Sequence, residues 1–223
     1  MRDTEEARLL EEILQRRSYN AVTDFIDANV ARDLGDKIAF SDPDRSLSYG
    51  ELQARTMKFA RALRALGLRQ ENRVALLLYD TVDFPVAFWG AIRAGIVAVP
   101  INTLLTAEQY AFVLGDSRAA AIVVTAALAK PILSIRHRLP HLREVIVVGA
   151  GAGDRAAPGD VQIFEDLLAR EPAEPFTAAT VSDEVAFWLY SSGSTGEPKA
   201  VKHVHASLMT TAKLGRASCR ERV

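Results

Sequence analysis

The chain has a single cysteine, Cys219. One thiol cannot close an intramolecular disulfide, and it excludes every metal site built on a cysteine cluster. An excess of one charge is missing too: 27 lysines and arginines stand against 28 aspartates and glutamates, a formal net charge of −1. Nothing global in that balance draws the chain to nucleic acid or to a membrane surface. No apolar run reaches the ~18–20 residues of a membrane span. The acidic start Met1-Arg2-Asp3-Thr4-Glu5-Glu6 lacks the apolar core of a secretory signal. These absences point to a cytoplasmic protein. What is present is an ordinary globular composition, 49% hydrophobic and 25% charged, over 223 residues, enough for one domain or two small ones.

Residues 3–17 read as a charged peripheral helix with Leu9, Leu10, Ile13 and Leu14 as its apolar stripe. A second helix starts near Asn20 and stops near Gly35. Lys37-Ile38-Ala39-Phe40 reads as a short strand, and Asp42-Pro43-Asp44-Arg45 as a turn. Ser48 and Glu51 have the spacing of a capping box, in which each side chain satisfies the other's orphan N–H. The helix they open places Leu52, Thr56, Phe59, Leu63 and Leu66 on one face and ends at Gly67. Alternation follows. Strands are expected at 73–79, 96–99, 121–124, 144–148 and 185–190. Helices are expected from Asp83 through Arg93, from a second capping box at Thr106 and Gln109 to near Gly115, at 132–138 and at 163–170. The strand at 73–79 is almost continuously apolar, as a strand covered on both faces should be. Strands alternating with helices predict an α/β fold, a doubly wound, mostly parallel sheet flanked by helices. Such sheets take ligands outside the carboxyl ends of their strands.

At the end of the last strand comes Tyr190-Ser191-Ser192-Gly193-Ser194-Thr195-Gly196-Glu197-Pro198-Lys199. Glycines let the backbone turn tightly, and backbone N–H groups, hydroxyls and one ammonium can converge on a single anion, phosphate above all. Walker A is excluded: its glycine spacing differs, and Ala200 rather than Ser or Thr follows Lys199.

This run resembles the phosphate-binding loop of the AMP-forming acyl-CoA synthetase, luciferase and peptide-synthetase adenylation superfamily. The resemblance covers roughly residues 18–214. The segment from Asp80 to Thr106, with Phe84-Pro85-Val86-Ala87-Phe88-Trp89 and Asn102-Thr103-Leu104-Leu105-Thr106, is similar to the benzoate-CoA ligase branch, as are Asp116-Ser117-Arg118 and Tyr190-Ser191-Ser192. It implies an incomplete N-terminal large domain of an adenylate-forming enzyme. It also implies a two-step reaction: a benzoate-type carboxylate attacks the α-phosphate of Mg-ATP to give an acyl-adenylate and pyrophosphate, then the thiol of coenzyme A displaces AMP. ATP, Mg2+ and coenzyme A are the implied cofactors, and the implied partners are small molecules. Ser191, Ser192, Gly193, Ser194, Thr195, Gly196 and Lys199 would hold the β- and γ-phosphates. No catalytic residue is assigned. Alternatives that stay open are another adenylate-former, such as a fatty acyl-CoA ligase or a peptide-synthetase adenylation domain, and a non-catalytic nucleotide-binding remnant.

Gly149-Ala150-Gly151-Ala152-Gly153 follows a strand, but its continuation Asp154-Arg155-Ala156-Ala157-Pro158 does not open a helix, so it reads as a surface loop and not a dinucleotide site. His203 and His205 have metal-like spacing without a third ligand nearby. They are expected to be polar residues on the way into a helix at 206–213, or, for His205, to pack near the acyl or nucleotide pocket. Asp80 and Asp83 need no chemistry if Asp83 caps its helix and Asp80 is solvated. The family has glycine after Pro-Lys where this chain has Ala200, which would be strained if that position needs φ > 0. Complete family members are more than twice this length. The metal-binding glutamate, ribose-binding aspartate, hinge and small C-terminal domain are expected beyond this chain, so the fragment is expected to be inactive alone. Residues 215–223 resemble a translated sequencing adapter and are expected to be non-native.

Overall fold

In the computed structural model the chain is described at Glu11 and over residues 18–149, 161–191 and 198–220, with backbone alone for 213–220. The expected helix over 3–17, apart from Glu11, lies outside the described residues, as does the glycine-rich loop beyond Gly149.

The chain opens with α1 (Thr23–Asp27, wound as a π-helix), which runs straight into α2 (Ala28–Val30). The helix stops short of Gly35, in a turn where Asp33 adopts φ 59°. Strands β1 (Ile38–Ser41) and β2 (Ser46–Ser48) pair antiparallel across the Asp42 turn. Sequence reasoning missed β2 because it is three residues long and has Leu47 as its single apolar residue. Helix α3 (Tyr49–Ala65) begins on the Ser48–Glu51 capping box, with both reciprocal bonds formed. It ends at Gly67, which adopts φ 78°.

The remaining elements alternate: β3 (Arg73–Leu77), α4 (Asp83–Arg93), β4 (Val97–Pro100), α5 (Ala107–Asp116), β5 (Ala121–Thr125), α6 (Ala126–Ile135), β6 (Glu144–Val148), β7 (Gln162–Ile163), α7 (Phe164–Arg170), β8 (Val185–Ser191), β9 (Lys199–Val204) and α8 (His205–Arg220). The expected helix at 132–138 starts earlier, at Ala126. It contains Pro131 and tightens to a 3₁₀ turn at Arg136–Arg138. Pro131 is the sixth residue of the helix, so it removes one interior i→i−4 bond, the one to the Ala127 carbonyl.

The main sheet has seven strands in the order β7-β6-β5-β3-β4-β8-β9. Every neighbouring pair runs parallel except β8 and β9, which are antiparallel. Alternate residues of the central strands go to opposite faces. Val74, Leu76, Ala98, Val123 and Ile146 pack with Phe59 and Leu63 of α3, Val86 and Ala91 of α4, and Phe164 of α7. Ala75, Leu77, Ile122, Val124 and Val145 pack with Tyr110, Val113 and Leu114 of α5 and Ile132 and Ile135 of α6. Both faces are thus covered, which explains the unbroken apolar run in β3. At the α3–α4 crossing the helices touch at Gly90, where a Cβ would lie 2.8 Å from the Phe59 ring.

An unforeseen polar post holds one side of the molecule. Arg93, at the end of α4, has no exposed surface. Its guanidinium donates to both Asp27 carboxylate oxygens at 2.6 and 3.2 Å, to the Thr177 hydroxyl at 2.9 Å and to the Thr56 hydroxyl at 3.2 Å. Asp83 does not cap α4 as expected. Its buried carboxylate instead accepts from Arg45 at 2.5 Å and Arg55 at 3.2 Å, joining the β1–β2 turn to α3 and α4. Two cations satisfy a buried carboxylate better than the exposed N–H groups of a helix start.

Candidate active-site hairpin

Strands β8 and β9 form an antiparallel hairpin whose ladder runs from Val185 opposite Val204 to Ser191 opposite Lys199. The sequence expects a bridging segment after Lys199, and the structure makes it a strand. The hairpin brings Ser191 and Lys199, two of the expected phosphate ligands, face to face at the carboxyl end of the parallel strands. Ser192, Gly193, Ser194, Thr195 and Gly196 lie between them, outside the described residues. Both flanking residues are exposed.

Ala200 settles into β9 opposite Tyr190. The described non-glycine residues with positive φ are Asp33, Glu71 and Arg118, so Ala200 is not among them and an alanine there is unstrained.

The two faces of the hairpin differ. On one, Phe187 stacks flat on His203 with centroids 4.4 Å apart and meets Phe88 of α4 edge-on at 5.5 Å. Leu189 and Val201 continue this face and are exposed. On the other face, Trp188 has the Lys202 ammonium 5.4 Å and the Arg73 guanidinium 5.9 Å from its ring. Beside it the Tyr190 hydroxyl donates to Asp116 at 2.5 Å. Burial, and then the bond to Asp116, push the Tyr190 phenol well above its ordinary pKa, so it stays a donor. Phe112, Asp116, Trp188, Lys199, Ala200 and Lys202 border an open depression of about 670 Å³ on this side. Two ammonium groups along its rim suit an anionic guest.

His205 lies elsewhere. It begins α8 at the far end of β9, roughly 20 Å along the strand from Lys199 at ~3.3 Å per residue. It is 1% exposed, and its Nδ1 accepts from the backbone N–H of Ala21 at 3.2 Å. Burial pushes its pKa down to about 4, so it is neutral at pH 7. It acts with two other contacts, Tyr19 N–H to Thr180 O at 2.6 Å and the Asn20 amide to Ile92 O at 2.9 Å, to fasten residues 19–21 to α4, to the segment before β8 and to the start of α8. His203 is the stacking partner of Phe187. Among the described residues no cluster of three or more His, Cys, Asp and Glu is gathered to hold a metal, and no helix is long and apolar enough to cross a membrane.

Comparisons with known proteins agree with this architecture. Residues 26–222 match the family model described as AMP-binding enzyme. The 4-hydroxybenzoate–CoA/benzoate–CoA ligase of Rhodopseudomonas palustris is 51% identical over 191 residues, 86% of this chain and 34% of that protein. The benzoate–CoA ligase of Thauera aromatica is 39% identical over 197 residues, 88% of this chain and 36% of that protein. The crystal structure of an anthranilate CoA ligase in complex with anthranoyl-AMP superposes with a TM-score of 0.83 at 32% identity, covering 89% of this chain and 37% of that one. The chain therefore spans about a third of the length of the relatives it matches. The sheet order, the hairpin that brackets the Ser/Thr/Gly loop and these matches lead to one assignment: this chain belongs to the AMP-binding enzyme family, the AMP-forming acyl-CoA synthetase and adenylation superfamily, in the branch that holds its benzoate–CoA ligase relatives.

Proposed function

We propose that the protein is an ATP-dependent carboxylate–CoA ligase that activates benzoate or a ring-substituted benzoate. The carboxylate displaces pyrophosphate from ATP to give the acyl-adenylate, and coenzyme A then displaces AMP to give the thioester. Ser191, Ser192, Gly193, Ser194, Thr195, Gly196 and Lys199 hold the β- and γ-phosphates. Their N–H and O–H groups and the Lys199 ammonium oppose the charge that grows on the departing pyrophosphate. The observation that carries this reading is the pairing of Ser191 with Lys199 across the hairpin end, at the carboxyl end of the parallel strands, where doubly wound folds take their ligands. The aryl substrate class is supported by the relatives that act on benzoate, hydroxybenzoate and anthranilate. Magnesium would reach the site with the nucleotide; the described residues do not by themselves gather a metal site.

The test is calorimetry of MgATP binding to the 223-residue chain and its Lys199→Ala variant. A charge-assisted contact to phosphate is worth about 1.5–3 kcal/mol, so Kd should rise roughly 10- to 100-fold in the variant. Equal affinity in both proteins would refute the role of Lys199. A wild-type chain that binds no MgATP would refute the phosphate cradle. We further propose that these 223 residues alone form no CoA thioester, since they span a third of their relatives; thioester formation by the purified chain would overturn that.

A further inference from the structure

Strand β8 delivers the loop from its place between β4 and the last strand, β9. Among the described residues β4 registers with β8 at one pair, Ala98 opposite Phe187, whereas β3 and β4 register at four. Past Phe187 the strand has only β9 as a ladder partner, and β9 is itself the end of the sheet. The ladder to β4 therefore stops near the base of the hairpin, and the loop ends, Ser191 and Lys199, sit at its far tip.

A side-chain hydrogen bond ties the hairpin to α5 near its tip. The Tyr190 hydroxyl donates to Asp116, the last residue of α5, at 2.5 Å. That end of α5 is in turn fixed from below. Arg73, the first residue of β3, donates from Nε to the Ser117 carbonyl at 2.7 Å, and from Nη2 to the Arg118 carbonyl at 3.5 Å. Its guanidinium also lies over Trp188, two residues before Tyr190. The anchor is therefore rigid, built on a central strand and a helix end. Tyr190 is next to Ser191 in sequence and opposite Ala200 in the ladder, one residue from Lys199.

We propose that Tyr190 and Asp116 are positioning residues that clamp the tip of the β8–β9 hairpin to α5 and so set the spacing and aim of Ser191 and Lys199 toward the nucleotide phosphates. Neither residue touches the phosphates. The inference rests on the reading of the loop as a phosphate cradle, but the clamp itself can be tested without nucleotide.

The experiment uses Tyr190→Phe, Asp116→Ala, the double variant and Asp116→Asn, which keeps an oxygen acceptor for the phenol. Two quantities are read on the full chain: the MgATP dissociation constant, and amide hydrogen exchange of peptides from β8 and β9 without nucleotide. The clamp predicts a five- to tenfold weaker MgATP affinity and faster exchange confined to the hairpin in Tyr190→Phe and Asp116→Ala. The double variant should lose no more than either single one, because one contact is removed in each case. Asp116→Asn should stay within about twofold of wild type. Unchanged exchange in Tyr190→Phe overturns the clamp, and so does faster exchange spread over the whole sheet, which marks a general loss of stability. Additive losses in the double variant overturn the pairing. If wild type binds no MgATP the cradle reading falls, while the exchange data still decide the clamp.

Discussion

Removing the Asp27 carboxylate tests the buried post around Arg93. The Arg93 guanidinium has no exposed surface and spends two of its bonds on Asp27, at 2.6 and 3.2 Å. In Asp27→Ala the cation stays buried with only neutral acceptors, the hydroxyls of Thr56 and Thr177 and the Phe176 carbonyl. Breaking a buried pair from one side costs ~3–5 kcal/mol. The Asp27 side chain is 26% exposed, so water can enter the vacated place, and the lower end, about 3 kcal/mol, is the expected figure. For a domain of this size, each kcal/mol lowers Tm by ~2–4 °C, so a fall of about 6–12 °C is expected. Arg93→Met removes the charge and keeps much of the volume. The Asp27 carboxylate left behind can turn to water, so this variant should lose only ~1 kcal/mol. The double variant should be more stable than Asp27→Ala alone. Urea unfolding followed by tryptophan fluorescence reads all three, since Trp89 stacks on Phe25 close to the post. Arg93→Met costing more than Asp27→Ala would refute the reasoning, because it would mean that packing and not charge compensation governs the site.

His205 should make stability fall in mild acid. Its folded pKa of about 4 lies below the ordinary 6.5, so as pH drops from 6.5 toward 4 the unfolded chain takes up the proton first; the loss accumulates to at most about 3 kcal/mol. Melting temperatures of wild type and His205→Asn between pH 4.5 and 7 should converge toward low pH, and parallel curves would refute the assignment. Gly90→Ala should cost ~1–3 kcal/mol, because its Cβ would sit 2.8 Å from the Phe59 ring, and an unchanged urea midpoint would show that α3 and α4 can part freely. Ala200→Gly should lower stability by ~0.5–1 kcal/mol, since Ala200 is unstrained in β9 and glycine only loosens a strand; a gain in stability would refute that placement.

The parts of the fold legible in the sequence were those set by local rules. Both capping boxes form because Ser48 with Glu51 and Thr106 with Gln109 need only their own turn of backbone. Gly67 and Gly95 take positive φ at helix ends, as punctuation should. The parallel strands were visible because burial on both faces demands uninterrupted apolar residues. The illegible parts depend on partners far away in the chain. Asp83 looked like a helix cap because its true partners, Arg45 and Arg55, come from other elements. Strand β9, Lys199-Ala200-Val201-Lys202-His203-Val204, carries two lysines and a histidine among its six residues and exposes much of its length. Nothing in its composition separates it from a polar connector until β8 is placed beside it.

The candidate site divides along the same line. A loop that cradles phosphate must consist of glycines, hydroxyls and an ammonium in a short run, because each contributes one group to the same anion. Its chemistry is therefore concentrated in sequence and readable there. Holding that loop at the right place is a different task. Any phenol can do it if any carboxylate waits within reach, and the chain can supply the two from positions as remote as Tyr190 and Asp116. Neither residue type is informative alone. Their meaning comes from the fold, which sets the tip of β8 beside the end of α5. In the proposed clamp the hairpin geometry joins Tyr190, the first residue of the motif, to Asp116, more than seventy positions earlier, so the affinity of the cradle would depend on a partner that the motif does not contain.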